Sequence, residues 1–120
     1  MEKFVLNQNE KLLINDPHAI WMKTETMPVD GTIKLTDRRF VFVKNANPIA
    51  GILKLFMKSQ RSYVLHDFSL ESIKTYSRKT LYKNERLIID NGIERPREYV
   101  TSKIESLTGE LKNLGIKIKE

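Results

Sequence analysis

The chain has 120 residues, 40% hydrophobic and 30% charged, with 21 lysines and arginines against 15 acids, giving a net charge of +6. That length holds one domain with one core, and the basic balance suits a nucleic acid, an anionic membrane or an acidic protein without selecting among them. No cysteine occurs, which excludes a disulfide framework, a thiolate metal cage and a cysteine nucleophile.

Residues 1–9 are too polar for a signal peptide and read as an arm ahead of the domain. A short strand or arm covers residues 4–14. Asp16-Pro17 then marks a turn, because a residue before proline avoids the helical region. Residues 19–25 form a first strand, and Met27, Pro28, Val29, Asp30 and Gly31 close it as turn residues.

The clearest pattern spans residues 31–43. Pairing Leu35 with Phe40 sets Ile33 opposite Phe42, and period-2 geometry sends all four side chains to one face. Residues 36–39 make the turn between them. Asn45-Ala46-Asn47-Pro48 breaks the second strand, and Tyr63, Val64, Leu65 and His66 resume an extended run. In between, Ile49, Ile52, Leu53, Phe56 and Met57 fit one face of a helix, with Lys54 and Lys58 on a neighbouring side. That apolar stretch is interrupted by Lys54 and falls well short of the roughly 20 residues a membrane-spanning helix needs. The expectation is a soluble, cytoplasmic protein, at most peripheral at the inner face of a membrane.

Residues 68–73 read as a strand end leading through a short turn into the next strand. Residues 74–79, 81–90 and 93–100 follow as three more strands, divided at Lys79-Thr80 and at Asn91-Gly92, the strongest short hairpin signal. A closing helix covers about residues 102–114. Ser102 and Glu105 fit a capping box, and Ile104, Leu107, Leu111 and Leu114 form one apolar stripe. Gly115 is placed as a left-handed stop, and Gly109 faces solvent.

The run Gly31-Thr32-Ile33-Lys34-Leu35-Thr36-Asp37-Arg38-Arg39-Phe40-Val41-Phe42 resembles the hallmark of the GRAM and bacterial pleckstrin-homology-like (PH-like) family. Phe68-Ser69-Leu70-Glu71-Ser72-Ile73 resembles the same family's step between strands, and the resemblance extends over about residues 10–114. It implies one domain over residues 1–120, α+β by count but mainly β. The expected form is a barrel or orthogonal sandwich of about seven antiparallel strands closed by the C-terminal helix. It also implies a non-enzymatic binding module, and, since bacterial members of the family form oligomers, a self-associating scaffold is the alternative. Arg39 stands at the family's recurrent arginine position, where pairing with a carbonyl or carboxylate near the turn is its expected task. Lipid-binding PH domains carry a basic signature around the first hairpin loop. Here residues 26–30 hold Asp30 and no base, so stereospecific inositol-phosphate binding is not expected.

Enzyme chemistry finds no support. His18 and His66 lie far apart, and His66 and Asp67, as strand neighbours, point to opposite faces and make no dyad. No G-x-S-x-G elbow, G-x-G-x-x-G turn or phosphate-cradling glycine loop occurs, so no cofactor or metal is called for. Alternation places Lys74, Tyr76 and Arg78 on one strand face, a pattern that binds single strands by stacking. Nucleic acid is nevertheless disfavoured, because strand tyrosines usually pack and the bases are scattered rather than blocked. The candidate contact surface is Ile52, Leu53, Lys54, Phe56, Lys58 and Arg61, facing an anionic phospholipid surface or a protein partner. The competing reading buries the same stripe in the core.

Overall fold

The structure, a computed structural model, describes residues 3–45, 62–81 and 83–119. Three antiparallel strands come first, β1 (Leu12–Thr24), β2 (Met27–Thr36) and β3 (Arg39–Lys44). Next are β4 (Tyr63–Ser69), a single 3-10 turn at Leu70–Ser72, β5 (Thr75–Leu81), β6 (Asn84–Asp90) and β7 (Arg97–Val100). Helix α1 (Ile104–Asn113) and the two-residue β8 (Lys117–Ile118) complete the chain. The strands join one sheet in the order β4-β3-β2-β1-β7-β6-β5-β8. The sheet is therefore open in its described pairings, with β4 at one end and β8 at the other, rather than a closed barrel.

The expected hairpin register is present. Leu35 pairs with Phe40 and Ile33 with Phe42, and all four side chains are fully buried. Gly31 is required there, because a Cβ would stand 2.3 Å from the Phe42 ring. In a flat sheet β3 and β7 would lie three spacings apart, roughly 14 Å at about 4.8 Å each. Yet the Phe42 and Tyr99 rings are 5.4 Å apart. The two halves of the sheet thus fold face to face, and Ile104, Leu107 and Leu111 of α1 complete their common core with Leu87 and Ile89.

Several expected turns prove to be strand. β1 runs straight through Asp16 and Pro17; a register shift between Asp16 and Ala19 accommodates the proline, which has no N–H to give the ladder. Asp16 stabilises the irregularity by accepting from the His18 amide at 3.0 Å and from the Thr101 hydroxyl. Residues 27–31 belong to β2, and the reversal falls at Glu25-Thr26, where the Thr26 amide donates to Thr24 Oγ1 at 3.3 Å. β5 passes through Lys79 and Thr80, and its pairing with β6 leaves the left-handed position to Lys83 at φ 68°. Asn91-Gly92 opens a six-residue loop rather than a two-residue hairpin, since Ile89 pairs with Arg97. The Asn91 carboxamide oxygen accepts the amides of Ile93 and Glu94, so its turn chemistry is spent on that longer loop.

Helix α1 begins later than the capping box implies. Its N-cap, Lys103, makes no side-chain cap, while the Thr101 hydroxyl accepts the Lys103 amide at 3.0 Å. Glu105 turns instead to Arg78, at 2.8 Å. The C-terminus follows expectation: Ile116 N–H donates to Leu111 O and Gly115 N–H to Lys112 O, with Gly115 at φ 87°. Gly109 is exposed, with nothing within 4 Å of an added Cβ. Gly109→Ala is expected to raise unfolding stability by about 1 kcal/mol, read as a higher urea midpoint.

Candidate functional site

The register of the strands defines a loop end. Gly31 pairs with Lys44, and Lys44 with Tyr63, so β3 stops and β4 starts side by side. Beyond that level the β1–β2 hairpin continues through Met22–Pro28 and Thr24–Met27 pairs and projects past β3. β7 starts alongside it, because Trp21 pairs with Tyr99. Asn45 fixes the exit of β3: its amide donates to Asp30 O at 3.2 Å, its carboxamide to Pro17 O at 3.1 Å, and it accepts from Thr32 Oγ1 at 2.7 Å. The Lys44 ammonium lies 5.6 Å from the Tyr63 ring centroid. The predicted contact residues Ile52, Leu53, Lys54, Phe56, Lys58 and Arg61, and the helical stripe that carries them, lie outside the described residues. Both roots of their segment are at this end.

Charge at the projecting hairpin is organised around Arg86. Its side chain is only 7% exposed and bonds Glu25 at 3.0 Å and Glu98 at 3.2 Å. Hydrogen bonding to Arg86 holds the Glu25 carboxyl below its ordinary pKa, so the carboxylate stays ionised in this pair. A small cleft of about 60 Å³ sits between hairpin and loop, with Lys23, Arg95 and Arg97 among its walls. Arg97 lies over the Trp21 ring at 5.5 Å and donates to Glu94 at 3.0 Å.

His66, on β4, faces Phe42 across the ladder and enters the core, 7% exposed. Its Nδ1 shares a 2.8 Å hydrogen bond with the buried Tyr99 hydroxyl. Burial lowers the imidazole pKa from 6.5 to about 4 and raises that of the phenol, so both are neutral in the fold. His18 is exposed at the β1 irregularity. Among the described residues no three potential metal-binding side chains come together. Tyr76 is 4% exposed and belongs to the core, and Arg78 pairs with Glu85 and Glu105, so that strand face offers no stacking platform.

At the opposite end, Arg39 does pair with carboxylates near its turn. Nε and Nη2 meet both oxygens of Glu10 at 2.8 and 2.9 Å, Nη1 meets Asp67 at 3.0 Å, and Nη2 also reaches the Val5 carbonyl. The N-terminal arm is thereby fixed over the outer face of β2 and β3, with the Phe4 ring 4.9 Å from the Arg39 guanidinium. Glu10, Arg86 and the His66–Tyr99 pair carry no local sequence signal. The Glu10–Arg39, His66–Tyr99 and Arg86–Glu25 bonds span 29, 33 and 61 positions.

No family model matches the sequence, and no characterised protein matches it by sequence search. Among solved structures, the fold is similar to the N-terminally truncated linker-DH/PH domains of p115-RhoGEF. The TM-score is 0.54 and the identity 12%, over 90% of this chain and 29% of that one. A point variant of the DH/PH domains of the same protein matches at TM-score 0.54 and 11% identity, over 92% of this chain and 32% of that one. The chain spans less than a third of either neighbour. The fold is therefore PH-like, mainly β with a C-terminal helix.

Proposed function

We propose that the chain is a GRAM-type variant of the PH-like fold and serves as a non-enzymatic docking module, working in the cytoplasm at the inner face of a membrane. The observation that carries this reading is the segment of residues 46–61. It holds Lys54, Lys58 and Arg61, no carboxylate, and an apolar set that includes Ile52, Leu53 and Phe56. Its roots, Lys44 and Tyr63, sit at the end of the sheet from which the β1–β2 hairpin projects. Apolar side chains together with bases are what an anionic bilayer holds, by burial of the former and attraction of the latter. Attachment of this kind is loose and salt-sensitive, in keeping with a first hairpin turn, Glu25-Thr26, that contributes an acid.

Flotation with phosphatidylserine-containing liposomes tests it. The wild-type chain is expected to float at low salt and sediment at high salt, and Phe56→Glu to sediment at both. A wild-type chain that ignores acidic liposomes at low salt removes the membrane reading. The free edge of β4, which pairs only with β3 among the described residues, favours self-association as the second reading. Light scattering that shows a dimer or ring in the absence of liposome binding selects it.

A further inference from the structure

β8 (Lys117–Ile118) stands last in the strand order, with one side open among the described residues. It pairs in parallel with β5, Thr75 with Lys117 and Tyr76 with Ile118. The Lys119 N–H donates to Tyr76 O at 2.8 Å, so the alternation of a parallel ladder turns the N–H and C=O of Ile118 away from β5, towards the open side. An edge of this kind takes up extended segments by main-chain hydrogen bonds, and the side chains around it decide which segment fits.

The two faces of β8 differ in chemistry. Ile116 packs against the core, and Ile118, two positions on, lies on the same face beside its pair Tyr76. Tyr76 is buried whereas Ile118 is 55% exposed, so the apolar layer of the sheet runs out to its edge without cover. Next to Ile116 opens a groove of about 620 Å³ walled by Leu70, Ile73 and Leu114, with Lys74 and Glu71 also in its walls. Lys117 and Lys119 take the opposite face, are exposed, and enter no ion pair among the described residues. In these stretches Lys74, Lys112, Lys117 and Lys119 outnumber Glu71 and Glu120, so the surface is basic.

A strand laid against this edge sets its alternate side chains next to Ile118 on one face and next to the two lysines on the other, and such neighbours stabilise when apolar meets apolar and acid meets base. We infer that β8 receives an extended partner segment in which apolar and acidic residues alternate. Its apolar side chains cover Ile118 and enter the groove, and its carboxylates lie opposite Lys117 and Lys119. The other free edge of a second copy does not supply that pattern, because β4 holds one acid, Asp67, which is already bonded to Arg39. This does not rest on the docking reading, since none of these residues lies in 46–61.

An NMR titration of the labelled full-length chain tests it, with a short capped peptide of alternating valine and glutamate as the probe. The peptide is expected to shift the amides of residues 75–77 and 116–119, saturating in the millimolar range. A peptide with lysine for glutamate and one with serine for valine are each expected to bind about tenfold more weakly, the first by like-charge repulsion and the second by lost burial. Lys117→Glu combined with Lys119→Glu, both on exposed residues, should reverse the preference and take the lysine peptide over the glutamate one. Ile118→Pro, which removes the outward N–H, should bind neither. Dispersed spectra show that the variants fold, and if Ile118→Pro does not, the charge-reversed variant decides alone. The inference is overturned by an absence of saturable shifts, by either altered peptide binding as well as the probe, or by an unchanged preference in the charge-reversed variant. Phosphatidylserine vesicles that move these amides while the peptide leaves them in place overturn it as well.

Discussion

Replacing Arg39 by alanine is expected to lower the unfolding free energy by about 3–5 kcal/mol, the range for removing one partner of a buried ion pair. The size follows from what is left behind. Glu10 has a side chain with no solvent exposure, and its remaining partners are the Thr36 hydroxyl at 2.6 Å and the Asn7 amide at 2.9 Å. Without the guanidinium its charge is buried with neutral donors alone, and the arm loses its anchor to β3. A shift in urea midpoint worth less than about 1 kcal/mol, the ceiling for exposed pairs, defeats this account. The pH dependence has a definite sign. The Arg39 hydrogen bonds hold the Glu10 carboxyl at about 2, below its ordinary 4.5. Its contribution is therefore fully present above pH 4.5 and is lost as the pH falls through about 2. Glu10→Gln should be less stable at neutral pH and flatter in that acid window.

His66 governs a different window. An imidazole buried neutral, with its pKa lowered from 6.5 to about 4, adds stability that is whole above 6.5 and is lost as the pH falls through about 4. In that interval the unfolded chain binds the proton and the folded one does not. A shift of that size corresponds to about 3 kcal/mol, and His66→Phe should remove this loss while keeping the ring between Trp21, Phe42 and Phe68. Urea midpoints at a series of pH values measure it. The single tryptophan adds a second readout, since Trp21 lies 4.3 Å from the His66 ring and its emission should follow the imidazole charge. Parallel pH profiles for wild type and His66→Phe contradict the assignment.

Legibility of the fold tracks the range of the interactions that make it. The Ile33, Leu35, Phe40, Phe42 seam and the Ile104, Leu107, Leu111 stripe are periodic over one strand or three turns, so neighbours in sequence suffice to reveal them. Gly115 is equally local. Pro17 misleads because the breaker is accommodated by an irregularity whose brace, Thr101, is 85 positions away from Asp16. Asn91-Gly92 misleads because side-chain capping by Asn91 serves several loop lengths. β8, two residues long and parallel to β5, has no pattern to show. At the loop end the sequence names the bases and the apolar set of 46–61. The buried Arg86 and the His66–Tyr99 pair depend on strands brought together from separate hairpins.

One strand, β1, joins the halves of the sheet, with β2 on one side and β7 on the other. Val100 pairs with Ile20, 80 positions earlier, so during synthesis the inner edge of β1 stays without this neighbour until residues 99 and 100 have emerged. The oily face of β2 and β3 stands open for the same time, with Phe40 and Phe42 awaiting Tyr99. Chains cut short before that tyrosine are expected to leave this apolar face without its cover. β7 and helix α1 thus decide whether the half-sheet made before them finds its cover.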